Sequence, residues 1–399
     1  MRPRCLAIGL LGSVLAVPSA GWAQNVADPS ETARFHLGPV SLTPRIGLRN
    51  VGLDTNVFNL SETPERDFTA TLTTGADTWL RVGRAYFSSR TTADWVYFQK
   101  AGSQRSLNLN QEGRVDVDLL RLVPRIGGAF VNSRQRPNDE FDLRVQQRNV
   151  GVFAGVMVPV GSKGRVDLEI REQEYDYAVG KYGDSAIASA LNRKSQVATL
   201  TGGFEITPLT RLAVRADSRR DRFTFTPARN STSLRVMPGV EFEPSAVVSG
   251  KAFLGWRRFE TPDPVTPDVT GFVASVELKF VAADMFRLTG VISRDVDYSL
   301  DLDESVFIST SMGVEILQAL GLDWDVVGRV RHATLAYQYQ DAVATSRVDR
   351  VWLTGGGLGR RLGTDIRVGF DVDYVNRSSV KGDRAFDGFR FGASVTYGY

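Results

Sequence analysis

The chain has 399 residues, with 48 Lys and Arg against 45 Asp and Glu, a formal net charge of +3, 42% hydrophobic residues and one cysteine. Near-balanced charge with no basic stripe excludes a nucleic-acid-binding protein, and a single cysteine excludes a disulfide framework or a cysteine metal site. After the first two dozen residues no apolar run is long enough for a membrane helix, so a membrane can be crossed only by a closed sheet.

The N-terminus reads as a secretory signal. Arg2 and Arg4 precede an apolar run over residues 5–17, and Gly21 and Ala23 supply the small residues of a cleavage site. Cleavage is expected after Ala23, which assigns residues 1–23 to the signal peptide. It removes Cys5 and takes the formal charge from +3 to about +1. Residues 24–40, with Asp28, Glu31 and Thr32, read as a polar periplasmic lead-in. Residues 41–399 carry no Pro/Ser-rich linker and no change of pattern, so they read as one domain.

Along that domain the period is two. In the last segment Phe389, Phe391, Ala393, Val395, Tyr397 and Tyr399 alternate with Gly388, Arg390, Gly392, Ser394, Thr396 and Gly398. Residues 107–119 and 366–374 repeat the pattern, with charges two apart on one face. Such a charged face must meet water while the other meets something apolar. Turn signals near Gly83, Leu122, Gly161, Pro208, Pro244, Asp284, Gly321 and Gly363 recur about every 40 residues. Polar stretches lie between them at 59–66, 134–142, 179–194, 222–231, 261–268, 299–305, 340–347 and 376–384. Short turns at one end and long loops at the other give the expected fold: all-β, a single transmembrane antiparallel up-and-down β-barrel of about 18 strands. It is expected to run from near Pro44 to Tyr399, with Pro238 marking a bulge or an early strand end. A β-propeller shares the 40-residue spacing but needs shorter strands and a motif repeated in each blade; neither is present.

Two features carry a resemblance. The ending Tyr397-Gly398-Tyr399 resembles the terminal signal read by the barrel assembly machinery, with Phe389, Phe391, Val395, Tyr397 and Tyr399 as its apolar row. The opening, Gly38-Pro39-Val40 followed by Gly52-Leu53-Asp54-Thr55-Asn56-Val57-Phe58, resembles the first strand of the putative β-barrel porin group associated with exopolysaccharide export. The resemblance implies the outer membrane of a Gram-negative bacterium, with lipid, lipopolysaccharide and the assembly machinery as partners.

The alternation places one charged row toward the lumen. Its selectivity candidates are Arg90, Arg114, Asp116, Arg165, Arg171, Arg211, Arg215, Arg235, Arg257, Arg287, Arg367, Asp371 and Arg390. Arginine stays charged and pairs bidentately with carboxylate and phosphate, which suits weak binding of anionic solutes in transit. The plainer alternative is that Arg and Asp on neighbouring strands pair across the wall. An enzyme is not expected: the only histidines are His36, in the lead-in, and His332, which shares parity with Trp324, Val326 and Val330. Asp295, Asp297, Asp301, Asp303 and Glu304 read as solvated loop acids, since the spacing and glycine of a calcium loop are missing. Arg219, Arg220 and Arg222 lie at a loop base, where they can contact lipopolysaccharide phosphates or simply be solvated. No cofactor is implied. Eighteen strands enclose a water-filled lumen, so the expected function is a passive channel, a diffusion porin or an exopolysaccharide exporter, passing a polysaccharide or small anionic solutes. The competing class is a non-conducting structural or surface-interaction barrel plugged by its loops, with 179–194 as the plug and Lys181 and Lys194 pairing with lumen acids.

Overall fold

The computed structural model describes residues 33–178, 181–182, 185–244, 246–262, 268–283, 285–301, 304–321, 323–338, 347–363 and 365–398. The expected signal peptide, residues 24–32 of the lead-in, and Tyr399 lie outside the described residues. Alternation of apolar and polar residues over twelve or more positions produces eighteen long strands. The first nine are β1 (Val40–Asp54), β2 (Asp67–Val82), β3 (Ala85–Phe98), β4 (Ser106–Val117), β5 (Val123–Gln135), β6 (Val145–Val160), β7 (Gly164–Tyr177), β8 (Arg193–Thr207) and β9 (Thr210–Phe223). The rest are β10 (Ser231–Phe242), β11 (Val248–Glu260), β12 (Val269–Ala282), β13 (Phe286–Tyr298), β14 (Val306–Leu320), β15 (Trp324–Tyr337), β16 (Val348–Leu362), β17 (Ile366–Ser378) and β18 (Phe386–Tyr397).

Each strand pairs antiparallel with its chain neighbours. β1 also pairs with β18, from Ile46 opposite Tyr397 to Asp54 opposite Arg390, which closes the sheet into a barrel with no free edge. The pleat then separates two environments. On β9, Leu212 and Val214 are exposed on the outer wall while Arg211, Asp217 and Asp221 are buried on the inner one. Short turns of two and three residues, with Gly83 and Gly321 at positive φ (59° and 73°), join strands at one end, where glycine adopts that backbone most freely.

Several expectations change in detail. The wall begins at Val40 rather than Pro44, and a three-residue strand, Phe35–Leu37, folds back against it. Pro238 is neither a bulge nor a strand end. It points outward within β10, and the β10–β11 register is the same on both sides of it. The bulge lies instead in β1, where Asn50 takes φ 53° and the register against β18 slips between Leu48 and Val51. A ninth long-side connection, residues 99–105, joins β3 to β4 in addition to the eight expected from the polar stretches. It holds a 3-10 turn at Gly102–Gln104.

The most extensive apolar packing sits at the long-loop mouth, and a smaller buried cluster, Ala213, Met237, Phe253 and Val273, lies on the inner wall. Phe141, Leu191, Phe223, Phe259, Tyr298 and Leu300 belong to the cluster at the mouth. It joins loop residues to the upper ends of β9, β11 and β13.

Candidate functional site

The inner wall is a mesh of arginines and carboxylates. Each of the thirteen candidate residues faces inward by strand register. Arg90 is opposite Asp77 and donates to it at 2.8 Å, with 62% of its side chain still exposed. Arg114 pairs with Asp116 (2.6 Å), Arg171 with Glu169 (2.9 Å), Arg215 with Asp217 (2.9 Å) and Arg390 with Asp54 (3.2 Å). Arg211 contacts Glu241 and Glu243, and Arg235 bridges Asp217 and Asp295. Asp295 also takes Arg257. Arg287 faces inward beside Leu317 of β14.

Many of these pairs skip a strand, which neighbour-to-neighbour reasoning does not anticipate. Arg125 of β5 reaches Asp167 of β7 through two hydrogen bonds (2.7 and 2.5 Å), lying over Gly155 of β6. Arg165 of β7 crosses Gly203 of β8 to reach Glu241 of β10 at 2.5 Å. Arg329 of β15 crosses Gly355 to Asp373 and Asp371 of β17 (2.7 and 3.2 Å). Arg367 returns from β17 to Asp325 of β15 at 2.6 Å, over Gly359. A side chain on these glycines would occupy the space of the guanidinium or carboxylate. Inward glycines therefore serve as crossing points that let charge-assisted hydrogen bonds form across the wall. Arg125, Asp325 and Arg329 were missed by sequence reading. The signal available for them was glycine at inward parity between charged strands.

The mouth is crossed by a different element. The β5–β6 connection, residues 136–144, folds into the barrel and reaches the opposite wall. Asp139 pairs with Arg331 of β15, and Asn138 Nδ2 donates to Asp297 of β13 at 3.2 Å. Glu140 is buried at 2% exposure and accepts from Ser299 Oγ (2.6 Å), Leu300 N (3.0 Å) and Tyr337 Oη (3.2 Å). Arg377 of β17 donates to the Glu140 carbonyl and to Asp142 (3.0 and 2.9 Å). Burial raises the Glu140 carboxyl above the usual carboxylate range, against the opposing pull of its Ser299 and Leu300 donors. Around the same cluster, Arg229 donates to the carbonyls of Ala190, Ser299 and Ser305 (2.6–2.7 Å). Its burial draws the guanidinium down to about 10, which leaves it charged at neutral pH.

The expected plug, 179–194, lies only partly within the described residues. Within residues 179–194, a short helix, Ile187–Leu191, does pack into the mouth cluster. Lys194, however, points outward and meets Glu174 at 3.5 Å on the outer wall, because its parity in β8 opposes that of Arg193. The Lys181 side chain lies outside the described residues. Among the described residues, 136–144 is the segment whose contacts reach β15.

The acidic stretch is also reassigned. Asp295 and Asp297 belong to β13, not to a loop, and Asp295 is bound by two arginines. Asp301 and Glu304 take Lys381 (3.0 and 3.3 Å), and Glu304 takes Arg347 (2.8 Å). Asp303 lies outside the described residues. These acids are paired rather than solvated, and no metal-ligand cluster occurs among the described residues. Arg219 turns inward to Asp221 (2.8 Å), separating it from the exposed Arg220 and Arg222. His332 stacks on Trp352 on the outer wall, with ring centroids 4.1 Å apart. Phe389, Phe391 and Val395 are exposed on the outer wall at the closing seam.

The family model described as "Putative beta-barrel porin 2" matches residues 28–399. Among solved structures, a BenF-like porin from Pseudomonas fluorescens Pf-5 aligns with a TM-score of 0.47 at 10% identity, covering 89% of this chain and 98% of that one. OccK2 (OpdF) of Pseudomonas aeruginosa aligns at 0.48 and 12% identity, covering 89% and 97%. The FrpB iron transporter of Neisseria meningitidis aligns at 0.45 and 8% identity, and the chain spans 64% of its length. No curated protein matches the chain.

Proposed function

The chain belongs to the putative beta-barrel porin 2 family, and from that premise we propose that it is a passive outer-membrane channel for small polar or anionic solutes, narrowed at its mouth by the 136–144 loop. The observation that carries this reading is the span of that loop. Its roots on β5 and β6 lie eight and nine strands from its partner strand β15 around a ring of eighteen, so the Asp139–Arg331 and Glu140–Tyr337 contacts link opposite walls. A strut of this kind divides the mouth. Small hydrated solutes can pass beside it, whereas a polysaccharide chain would have to displace it.

Below the strut, the arginines meet the passenger in a largely neutralised state, since most are bound to carboxylates. Arg90, Arg390 and Arg215 are the more exposed members, at 62%, 42% and 36% of their side chains. They are the groups placed to touch a passing anion, weakly enough to release it. The mesh is mainly a device that keeps a charged inner wall rigid and wetted.

A second reading, the non-conducting barrel, is favoured by one observation. Phe141 and Leu191 bury themselves in a single apolar cluster with Tyr298 and Leu300 at the mouth, as a fixed plug would. Single-channel recording in planar bilayers separates the two. The wild-type chain should give stable steps, and replacing residues 137–143 by a short Gly-Ser linker should enlarge them. Silence from the wild type with conductance only after replacement would establish the plugged barrel. Silence from both folded proteins would remove the channel reading altogether. Unhindered passage of long oligosaccharides by the wild type would restore the exporter.

A further inference from the structure

The outer wall is not uniform. Near mid-height on most strands it presents branched apolar residues: Val236, Leu254, Val276, Ile292, Val314 and Val372 face outward there. Across β2–β4 the same level carries hydrogen-bonding side chains instead. Thr78 is opposite Ser89, and Thr91 is opposite Gln111, all on the outward parity shared by Phe87 and Trp95. Gln111 accepts from Thr91 Oγ1 and donates to Ser89 Oγ at 2.7 Å, so the row is a linked polar patch in the middle of the membrane-facing wall. Hydrocarbon offers no partners for such groups, and polar side chains facing it are costly.

Next to this patch the wall is hollow. A groove of about 520 Å³ runs over Gly113 and Gly128 between Phe87, Ile126 and Phe130. Nothing in the protomer requires Gly113. A Cβ there would meet only Phe87, at an ordinary 3.9 Å, and its backbone is not left-handed. A glycine inside a strand weakens it, and close approach of another backbone is a reason for one to sit on an outer face. Ile126 on the groove wall and Val152 opposite Gly128 stand as knobs more than half exposed, and Trp95 and Leu107 do the same farther along the same face.

We propose that the outer wall of β2–β5 is a self-association surface, on which a second copy of this chain sets an apolar knob into the Gly113–Gly128 groove and brings its own Ser/Thr/Gln row against this one. A second copy fits better than lipid because it supplies hydroxyl and amide partners at the same membrane depth, which acyl chains cannot. A surface carrying both knobs and a hollow can complement itself, as a two-fold contact requires.

The test uses the full chain with Cys5→Ser, so that introduced cysteines stand alone. Leu109→Cys, within the patch, should give an oxidation-linked dimer in native outer membranes. Val276→Cys, on β12 away from the patch, should not. Native mass spectrometry from mild detergent should read an oligomer for the parent chain, and Gly113→Leu should convert it to a monomer that keeps the heat-modifiable mobility of a folded barrel. If Gly113→Leu fails to fold, the cysteine pair still decides. A monomeric parent with no Leu109→Cys linkage, or equal linkage at both positions, would overturn the proposal. Retention of lipid by a monomer would assign the groove to acyl chains and overturn it as well.

Discussion

Glu140 and Tyr337 meet across the mouth of the barrel: the Tyr337 hydroxyl donates to the Glu140 carboxylate at 3.2 Å, although the two are 197 residues apart in sequence and arise from opposite walls. The loop is thus fixed at its tip as well as at its roots, and the consequences of releasing the tip can be measured.

Glu140 and Asp139 should contribute unequally. Asp139 and Arg331 are partly exposed, and ion pairs of that kind contribute about 0–1 kcal/mol. Removing the buried Glu140 carboxylate leaves the Ser299 hydroxyl, the Leu300 amide and the Tyr337 hydroxyl without their acceptor, at about 1–3 kcal/mol per group. Glu140→Ala is therefore expected to free the loop, raising single-channel conductance and exposing residues 136–144 to protease. Asp139→Asn should change both by far less. Equal effects from the two variants would show that the tip is not held by Glu140.

Loop docking should also respond to pH. Burial raises the Glu140 carboxyl in the docked state above its value in the released loop. The docked form therefore binds a proton more readily, so docking is strongest below the ordinary carboxylate range and weakens as pH rises through the raised value. Conductance should climb over that window in the wild type and stay flat in Glu140→Gln. Arg347 and Arg384 are the cations that face this carboxylate. A wild-type profile that falls with rising pH contradicts the assignment.

The crossing glycines predict stability effects opposite to those of ordinary strand glycines. A side chain at Gly357 would collide with the Asp371 carboxylate, and forcing volume into a packed site costs about 1–3 kcal/mol. Gly357→Val should lower the temperature at which the barrel loses its heat-modifiable mobility. Gly328→Ala, on the neighbouring β15 with open space around its Cβ, should leave that temperature unchanged or raise it slightly.

Lumen arginines should divide by exposure. Arg90 is 62% exposed and Arg367 only 9% in their side chains. Reversing an exposed charge turns an attraction of about 1 kcal/mol for an ion about 4 Å away in a water-like medium into a repulsion of the same size, a change of about 2 kcal/mol or roughly 30-fold. Arg90→Glu is expected to move the reversal potential in a salt gradient toward cation preference with little loss of stability. Arg367→Gln should do the reverse, leaving selectivity nearly unchanged while weakening the wall, because it strips the fully buried Asp325 of its closest partner.

Much of this molecule was legible in the chain itself. A two-residue period from Val40 to Tyr397 and eight recurring short turns determine a closed wall, its strand number and which side chains face in. That information is local: the pleat alternates strictly, and a charge every second residue cannot lie against hydrocarbon. Arg165, Arg257 and Asp371 were placed on the inner face by parity alone. Their partners were not, because pairing depends on where a guanidinium lies once the wall curves and on whether the strand between has a glycine there. The mouth was still less legible. Residues 136–144 and 179–194 are both largely polar stretches, and nothing local shows that Glu140 of the first meets Tyr337 across the mouth. Only closure of the ring brought those opposite walls within reach of one loop, and so only the tertiary structure decided which segment narrows the channel.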